Sequence, residues 1–229
     1  MPLSIVEAPV IRQMDAVAAF FDRQVLRLTK HWLLLINLAV AIYAGLPFLA
    51  PCLMAMGHTM PAKIIYLVYR PLCHQLPSRS FFLFGPKLAY SAEELRALAG
   101  PGVDPLARHF IGNAALGYRM AYCQRDTAIY TSILVAGLAF ALVRRRLRPL
   151  PWRAYLALIV PLALDGLAQL LGLHESNPPV RVITGGLFGL ATVWLAYPYL
   201  EMGMEEVRRT VSERMRLTQG FGKNQAEFT

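Results

Sequence analysis

Four apolar segments, each about as long as a membrane-spanning helix, constrain this chain more than any other feature of its sequence. They cover residues 32–50, 127–143, 153–173 and 182–200. A helix needs about 20 residues to cross a hydrocarbon core of about 30 Å, so each segment predicts one span. The composition agrees, because 56% of the residues are hydrophobic, only 16% are charged and the mean hydropathy is +0.42. We therefore expect an all-α integral membrane protein with four transmembrane helices.

A shorter apolar run, residues 64–69, ends at Arg70 and Pro71. A charge and a residue without an N–H group are both unfavourable in lipid. The run therefore predicts a half-helix, which together with residues 81–84 forms a re-entrant or interfacial hairpin. Two short, tilted spans are the alternative.

The distribution of lysine and arginine predicts the orientation. Three segments, which precede the first span, join the second to the third and follow the fourth, carry 14 of the 23 basic residues. These are Arg12, Arg23, Arg27, Lys30, Arg144, Arg145, Arg146, Arg148, Arg153, Arg208, Arg209, Arg214, Arg216 and Lys223. The positive-inside rule places them in the cytoplasm, so we expect a multi-pass protein of the inner (plasma) membrane with both termini inside.

This orientation divides the chain into three regions. Residues 1–31 are predicted to form a cytoplasmic amphipathic interfacial helix, because apolar residues recur there at steps of three and four. Residues 32–200 form the transmembrane domain, with an exoplasmic excursion over 85–126 that contains a short helix, 92–99, capped by Ser91. Residues 201–229 form a cytoplasmic tail. The net charge of +9 flanks apolar segments and accompanies no nucleic-acid-binding motif, so the expected partner is the lipid bilayer and not nucleic acid.

Asp165 is the residue whose placement inside a predicted span costs the most free energy. It lies about 12 Å inside the end of its helix, where a charged aspartate costs roughly 2.5–3.5 kcal/mol. Asp165 should therefore face protein or water and have a partner, for which Arg125 and Arg181 are the basic candidates. Gln169 is one turn further along the same face. A functional carboxylate and a purely structural buried ion pair both fit this pattern.

Thiol, imidazole and carboxylate groups are predicted to meet at one membrane face. Cys73 and His74 follow the half-helix, and Cys123 and Asp126 precede the second span. These groups are ligands of the kinds that bind zinc or iron, so the four residues are candidate ligands of such an ion. The alternative is a disulfide between Cys73 and Cys123, which an exoplasmic location favours. In both cases the two cysteines are neighbours, and Cys52 is left unpaired and buried.

The loop between the third and fourth spans completes the predicted pocket. His174 and Glu175 are acid and base candidates, although the sequence that follows them is also a good turn. With Asp165, Gln169 and Arg181, Glu175 belongs to the set of candidate catalytic residues. Gly185 and Gly189, four residues apart, predict close helix packing.

These motifs resemble a family of small prokaryotic polytopic membrane proteins catalogued as domain of unknown function 2085. The resemblance is carried by Cys73-His-Gln, Cys123-Gln-Arg-Asp and Asp165-Gly-x-x-Gln, and it extends over residues 64–189. The family pattern has a second cysteine where this chain has Asp126, which makes Cys-His plus Cys-x-x-Cys. A carboxylate is a harder ligand than a thiolate, so the departure weakens any metal site inferred from the family. The resemblance implies where the site lies and implies no reaction.

Two functions from different classes follow. The first is an exoplasmic polar pocket with a metal- or thiol-centred site that acts on a lipid or another amphiphile. The second is a non-catalytic accessory subunit of a larger membrane complex of respiratory or photosynthetic type, in which the polar cluster is structural and the apolar faces bind other subunits. Stoichiometric metal on the isolated protein distinguishes the first from the second.

Overall fold

The protein is mostly helical and carries one small antiparallel sheet. The computed structural model describes residues 7–99, 104–144, 146–173 and 175–227, with side chains from residue 16 to residue 218. The helices are α1 (Glu7–Ala55), α2 (Thr59–Tyr69), α3 (Ala92–Leu98), α4 (Gln124–Val143), α5 (Trp152–Leu170) and α6 (Pro178–Glu227). The strands are β1 (Ser80–Leu83), β2 (Gly112–Asn113) and β3 (Gly117–Cys123), and a 3₁₀ turn, Pro77–Arg79, precedes β1.

Among the described residues, four helices are long and apolar enough to cross a membrane, as the sequence predicts. The segments are Ala16–Ala55, Gln124–Val143, Trp152–Leu170 and Pro178–Thr218. The first and last are about twice the length that a bilayer requires. The predicted interfacial helix is continuous with the first span, since neither glycine nor proline interrupts residues 16–44.

The chain forms two compact units, residues 37–197 and the combination of residues 1–36 with 198–229. In the second of these, the indole N–H of Trp32 donates to a carboxylate oxygen of Glu201 over 2.9 Å. Arg214 forms an ion pair with Asp22 in the same unit. Both contacts join α1 to α6 within that unit.

Residues 59–123, called the insert below, contain the sheet, and this corrects the all-α expectation. The strand order is β1-β3-β2 with antiparallel pairing, and Ser80 lies opposite Cys123. Of the residues 81–84 expected in a re-entrant hairpin, 81–83 therefore belong to β1 instead and Phe84 follows the strand, whereas the run 64–69 is helical within the 11-residue α2. The structure confirms the short helix capped by Ser91, with a full capping box to Glu94. Part of the excursion predicted over 85–126, residues 100–103, lies outside the described residues.

Two prolines inside long helices free carbonyl groups that other segments then use. Pro47 has no N–H to donate to the carbonyl of Tyr43, four residues earlier. That carbonyl accepts hydrogen bonds from the hydroxyls of Tyr69 at 2.7 Å and Tyr122 at 3.3 Å. Both donors belong to the insert, so the insert is attached to α1 at the point where Pro47 interrupts the backbone hydrogen bonds of the helix.

Pro198 repeats this arrangement in α6. It frees the carbonyl of Trp194, which accepts from the backbone N–H of Leu150 at 3.3 Å. Leu150 lies in the connection between α4 and α5. The freed carbonyl therefore fixes this connection against α6.

Close glycine contacts join α4 to α6, as the spacing of Gly185 and Gly189 predicts. A Cβ atom on Gly185 would lie 2.7 Å from the carbonyl oxygen of Arg125. A Cβ atom on Gly189 would overlap Ser132 Oγ and lie 2.5 Å from the carbonyl oxygen of Ile129. The two helices therefore approach too closely for a side chain at either position.

Candidate metal site and its cavity

The loop after α2 is fixed by Gln75. This residue has a φ of +52°, in the left-handed region, and it is 2% exposed. Its amide nitrogen donates to the carbonyls of Tyr66 at 2.9 Å and Ala121 at 3.1 Å. The side chain thus links α2 to β3 and holds the loop, including Cys73, against the end of β3. An unpaired buried amide is costly, so these bonds support a conformation that is otherwise unfavourable for a residue with a Cβ atom.

Cys123 ends β3 and is the N-cap residue of α4. Its Sγ accepts from the backbone N–H of Asp126 at 3.4 Å, and its own N–H donates to Cys73 Sγ at 3.3 Å. The Sγ atoms of Cys73 and Cys123 and a carboxylate oxygen of Asp126 all lie within 4.8 Å of one another. The two cysteines are free thiols, and the prediction that they are neighbours is confirmed.

The surroundings of Cys123 favour its protonated form. The hydrogen bond to the Cys73 thiol raises the pKa of Cys123 well above its usual value, and burial raises the pKa further. A bound cation has the opposite effect, because a metal-bound thiol loses its proton. A metal ion bound at this position would therefore displace the thiol proton.

A cavity of about 220 Å³ opens beside these three residues. Its walls come from the loop after α2 and from α4, α5 and α6. The lining residues are Leu72, Cys73, His74, Leu76, Arg79, Cys123, Arg125, Asp126, Gln169 and Arg181. The lining of this cavity thus contains six of the eight sequence-predicted site residues, together with Arg79 and Arg125.

The partner of Asp165 is Arg125 on α4. The two side chains form an ion pair, and the Asp165 side chain is only 7% exposed. Of the two arginines that the sequence offered, Arg125 therefore makes the contact. Gln169, one turn from Asp165, lines the cavity, and its amide nitrogen is buried without a hydrogen-bond partner among the described residues.

Arg181 lies in the first turn of α6 and is 4% exposed. It donates to the side-chain oxygen of Gln124 at 3.1 Å, and the Gln124 amide nitrogen donates to the Ser80 carbonyl at 3.2 Å. Within the described residues, no carboxylate forms an ion pair with Arg181. These hydrogen bonds from Arg181 to Gln124 and from Gln124 to Ser80 join α6, α4 and β1. The role of Gln124 could not be predicted from the sequence, because its burial depends on the sheet, which was not predicted.

Two predicted site residues stand apart from the cluster. Glu175 is at the rim, 3.9 Å from Arg79, with a side chain that is 70% exposed. His74 lines the cavity, but it is exposed and does not belong to the group of three close ligand atoms. His174 lies outside the described residues. Cys52, which the sequence predicts to be buried, is half-buried on α1, and its thiol donates to the Phe48 carbonyl at 3.3 Å.

Within the described residues, four helices long and apolar enough to cross a membrane, together with a cavity lined by polar side chains, are the features of a predicted multi-pass membrane protein. A family model described as a predicted membrane protein, DUF2085, matches residues 110–195. An uncharacterised protein of Methanocaldococcus jannaschii is 30% identical over 182 residues, which cover 76% of this chain and 96% of that relative. The chain belongs to the DUF2085 family. No solved structure matches it.

Proposed function

We propose that the protein binds one zinc-class ion on Cys73, Cys123 and Asp126, and that this ion acts on an anionic, oxygen-rich group of a lipid or another amphiphile. The observation that carries the proposal is the distance between the three ligand atoms, all within 4.8 Å. Tetrahedral ligands about 2.3 Å from a zinc ion are separated by about 3.8 Å, so a small movement of the side chains suffices for coordination.

The number of ligands supports a reactive role for the ion. Structural zinc sites have four protein ligands, whereas catalytic sites have three and leave one position for water or substrate. Cys73, Cys123 and Asp126 line the cavity of about 220 Å³, which would leave room for water or substrate beside a bound ion. A water bound at that position would have a lowered pKa and could attack an ester or phosphoester bond. His74 on the cavity wall is the candidate for an occasional fourth ligand.

The other wall of the cavity supports an anionic substrate. The Nε atoms of Arg79, Arg125 and Arg181 are buried and have no hydrogen-bond partner among the described residues, and the same is true of the Gln169 amide nitrogen. Buried donors without acceptors cost free energy. Phosphate or carboxylate oxygens in the cavity would satisfy them, and arginine recognises such groups well.

Metal content of the purified full-length protein tests the proposal. We expect about one zinc-class ion per chain after purification without chelator, and a loss of more than tenfold in Cys73→Ser and Cys123→Ser. Cys52→Ser is the matched control, because it removes the third cysteine of the chain, which lies outside the cluster, and it should retain the ion. Substitution with Co²⁺ should give thiolate-to-metal absorption that disappears in the first two variants and not in the control.

Two results would replace the proposal. Thiols that react with alkylating reagents only after reduction, and not after chelation, indicate a disulfide between Cys73 and Cys123. Thiols that react freely without either treatment, in protein that retains no metal but co-purifies with a cofactor-bearing complex, indicate the accessory subunit.

A further inference from the structure

A second cavity, of about 380 Å³, lies on the insert and is distinct from the candidate metal site. It is called the basic cavity below. Four of its nine lining residues are lysine or arginine, namely Lys63, Arg70, Arg108 and Arg119, and a fifth is His109. None of the described residues that line it is acidic. Among the described residues, none of the four cations forms an ion pair with a carboxylate.

Each element around the basic cavity contributes a cation. Lys63 lies on α2 and Arg70, seven residues later, is the C-cap residue of this helix, so the two lie on one face, on either side of Leu67. Arg108 comes from the loop before β2, and Arg119 comes from β3. Like charges brought together in this way repel, and the repulsion is relieved when an anion binds.

Arg119 lies at the base of the basic cavity, where hydrogen bonds hold its side chain in place. It is 1% exposed, and its guanidinium donates to the carbonyls of Phe110 and Arg108, both at 2.8 Å. It also lies 5.1 Å from the centre of the Tyr66 ring. Burial lowers the pKa of Arg119 to about 10, which leaves it charged at neutral pH. All these partners are neutral, so the buried positive charge is stabilised by dipoles and is not cancelled.

Lys63 and Arg70 are the groups free to bind a ligand. Both are exposed, and neither side chain has a partner among the described residues. Arg108 has fewer donors available for a ligand, because its guanidinium already donates to the carbonyls of Arg70 at 2.9 Å and Cys73 at 3.2 Å. The cavity thus combines hydrogen-bonded charges at its base with two exposed donors at its opening.

The apolar face beside the cavity fits an amphiphile. Leu67 is 64% exposed and its neighbour Val68 is 57% exposed. At 11 residues, α2 is too short to span a membrane, so exposed apolar side chains beside cations place it at the level of headgroups. We propose that the basic cavity binds a phosphate group, held by Lys63 and Arg70 above the buried guanidinium of Arg119. The phosphate belongs to a phospholipid headgroup or to free inorganic phosphate, and the test separates these sources.

The test measures ligand affinity of the full-length protein in detergent by thermal shift and by native mass spectrometry. The probes are dioleoyl phosphatidylglycerol, dioleoylglycerol, which lacks the phosphate, and inorganic phosphate at constant ionic strength. We expect binding of at least one phosphate-bearing probe and none of dioleoylglycerol. Binding of the lipid alone identifies a headgroup site, and binding of inorganic phosphate identifies a site for the free anion.

Variants locate the binding. Lys63→Gln with Arg70→Gln should weaken it roughly tenfold or more, because two charge-assisted hydrogen bonds are lost. Lys87→Gln with Arg96→Gln removes the same charge from residues of the insert that do not line the cavity, and it should change the affinity less than twofold. Equal affinity in the two double variants, or equal binding of dioleoylglycerol and phosphatidylglycerol, would overturn the proposal. The metal-site variants Cys73→Ser and Cys123→Ser leave these cations in place, so the two proposals fail separately.

Discussion

The insert and α5 are stabilised in opposite ways. The insert has two clusters of buried side chains, one around Tyr69 and Tyr122 and one around Phe82 and Leu95. In α5, none of the apolar residues is buried, and leucines along the helix are largely exposed. Within the described residues, the ion pair between Asp165 and Arg125 is the polar contact that attaches α5 to α4.

The difference indicates which solvent each region needs. The insert buries apolar groups and pairs its backbone in a sheet, as a domain in water does. The exposed apolar surface of α5 is stable only in an apolar environment, such as lipid or the face of another membrane protein. Substitutions in the insert should therefore act through packing, and those in α5 should act through its ion pair alone.

The largest effect is expected at the centre of the tyrosine cluster. The Tyr122 ring lies 5.0 Å from that of Tyr69, 5.3 Å from that of Tyr130 and 5.7 Å from that of Tyr43. Tyr122→Ala should lower the free energy of unfolding in mixed micelles by about 4 kcal/mol, since an aromatic side chain is lost from a packed core. Tyr122→Phe keeps the ring and should cost about 1 kcal/mol for its hydrogen bond. Similar losses in the two variants would mean that the hydroxyl, and not the ring packing, stabilises the insert.

Asp165→Ala is expected to have the next largest effect, about 3 kcal/mol, because it leaves Arg125 without its carboxylate. Asp165→Asn keeps the shape and part of the hydrogen bonding and should lose less. A double-mutant cycle with Arg125→Ala measures the coupling directly. If the two single changes are additive, the pair does not hold α5 and the contrast with the insert has to be explained by other contacts.

Gly189→Ala tests whether the α4–α6 contact resembles the packed insert. The added methyl group meets Ser132 and the Ile129 carbonyl, so overpacking should cost about 2 kcal/mol. Gly186→Ala is the matched control, because nothing lies within 4 Å of a Cβ atom there. It should be neutral or slightly stabilising in a helix. Equal thermal stability of both variants would mean that α6, like α5, makes no tight packing contact with the rest of the protein.

The smallest effect is expected on the exposed face of α5. Leu164 is 62% exposed, and Leu164→Ala should change the free energy of unfolding by less than about 0.5 kcal/mol. The stability is measured in the same micelles as for Tyr122→Ala. A loss near that of a buried leucine would show that this face is covered by protein, either in an oligomer or by another subunit.

The sequence predicted those features that depend on length or on a single expensive group. The four long apolar segments required helices, and Asp165 required a cation, which proved to be Arg125. Ser91 and Glu94 have the spacing of a capping box, so α3 could be read directly. The proximity of Cys73 and Cys123 followed from their predicted placement at one membrane face.

The sheet and the basic cavity could not be predicted in this way. β1 has four residues and β2 has two, which is too short for an alternating pattern to emerge. The burial of Arg119 is made possible by carbonyl groups of Phe110 and Arg108, which approach it only in the folded insert. The roles of the site residues, including metal ligation by Cys73, Cys123 and Asp126, stay predictions until metal content is measured.

Pro47 in α1 and Pro198 in α6 determine where other segments attach to these helices, in addition to changing the local backbone geometry. The carbonyl one turn before Pro47 and the one before Pro198 have no helical donor, and a hydroxyl or N–H from another segment bonds to each. Successive residues of a helix are rotated by about 100°, so moving Pro47 by one residue would turn the carbonyl without a helical donor away from Tyr69 and Tyr122. The same shift of Pro198 would carry the corresponding carbonyl away from Leu150. Pro47 and Pro198 thus determine at which level of α1 and α6 other segments of the chain attach by hydrogen bonds.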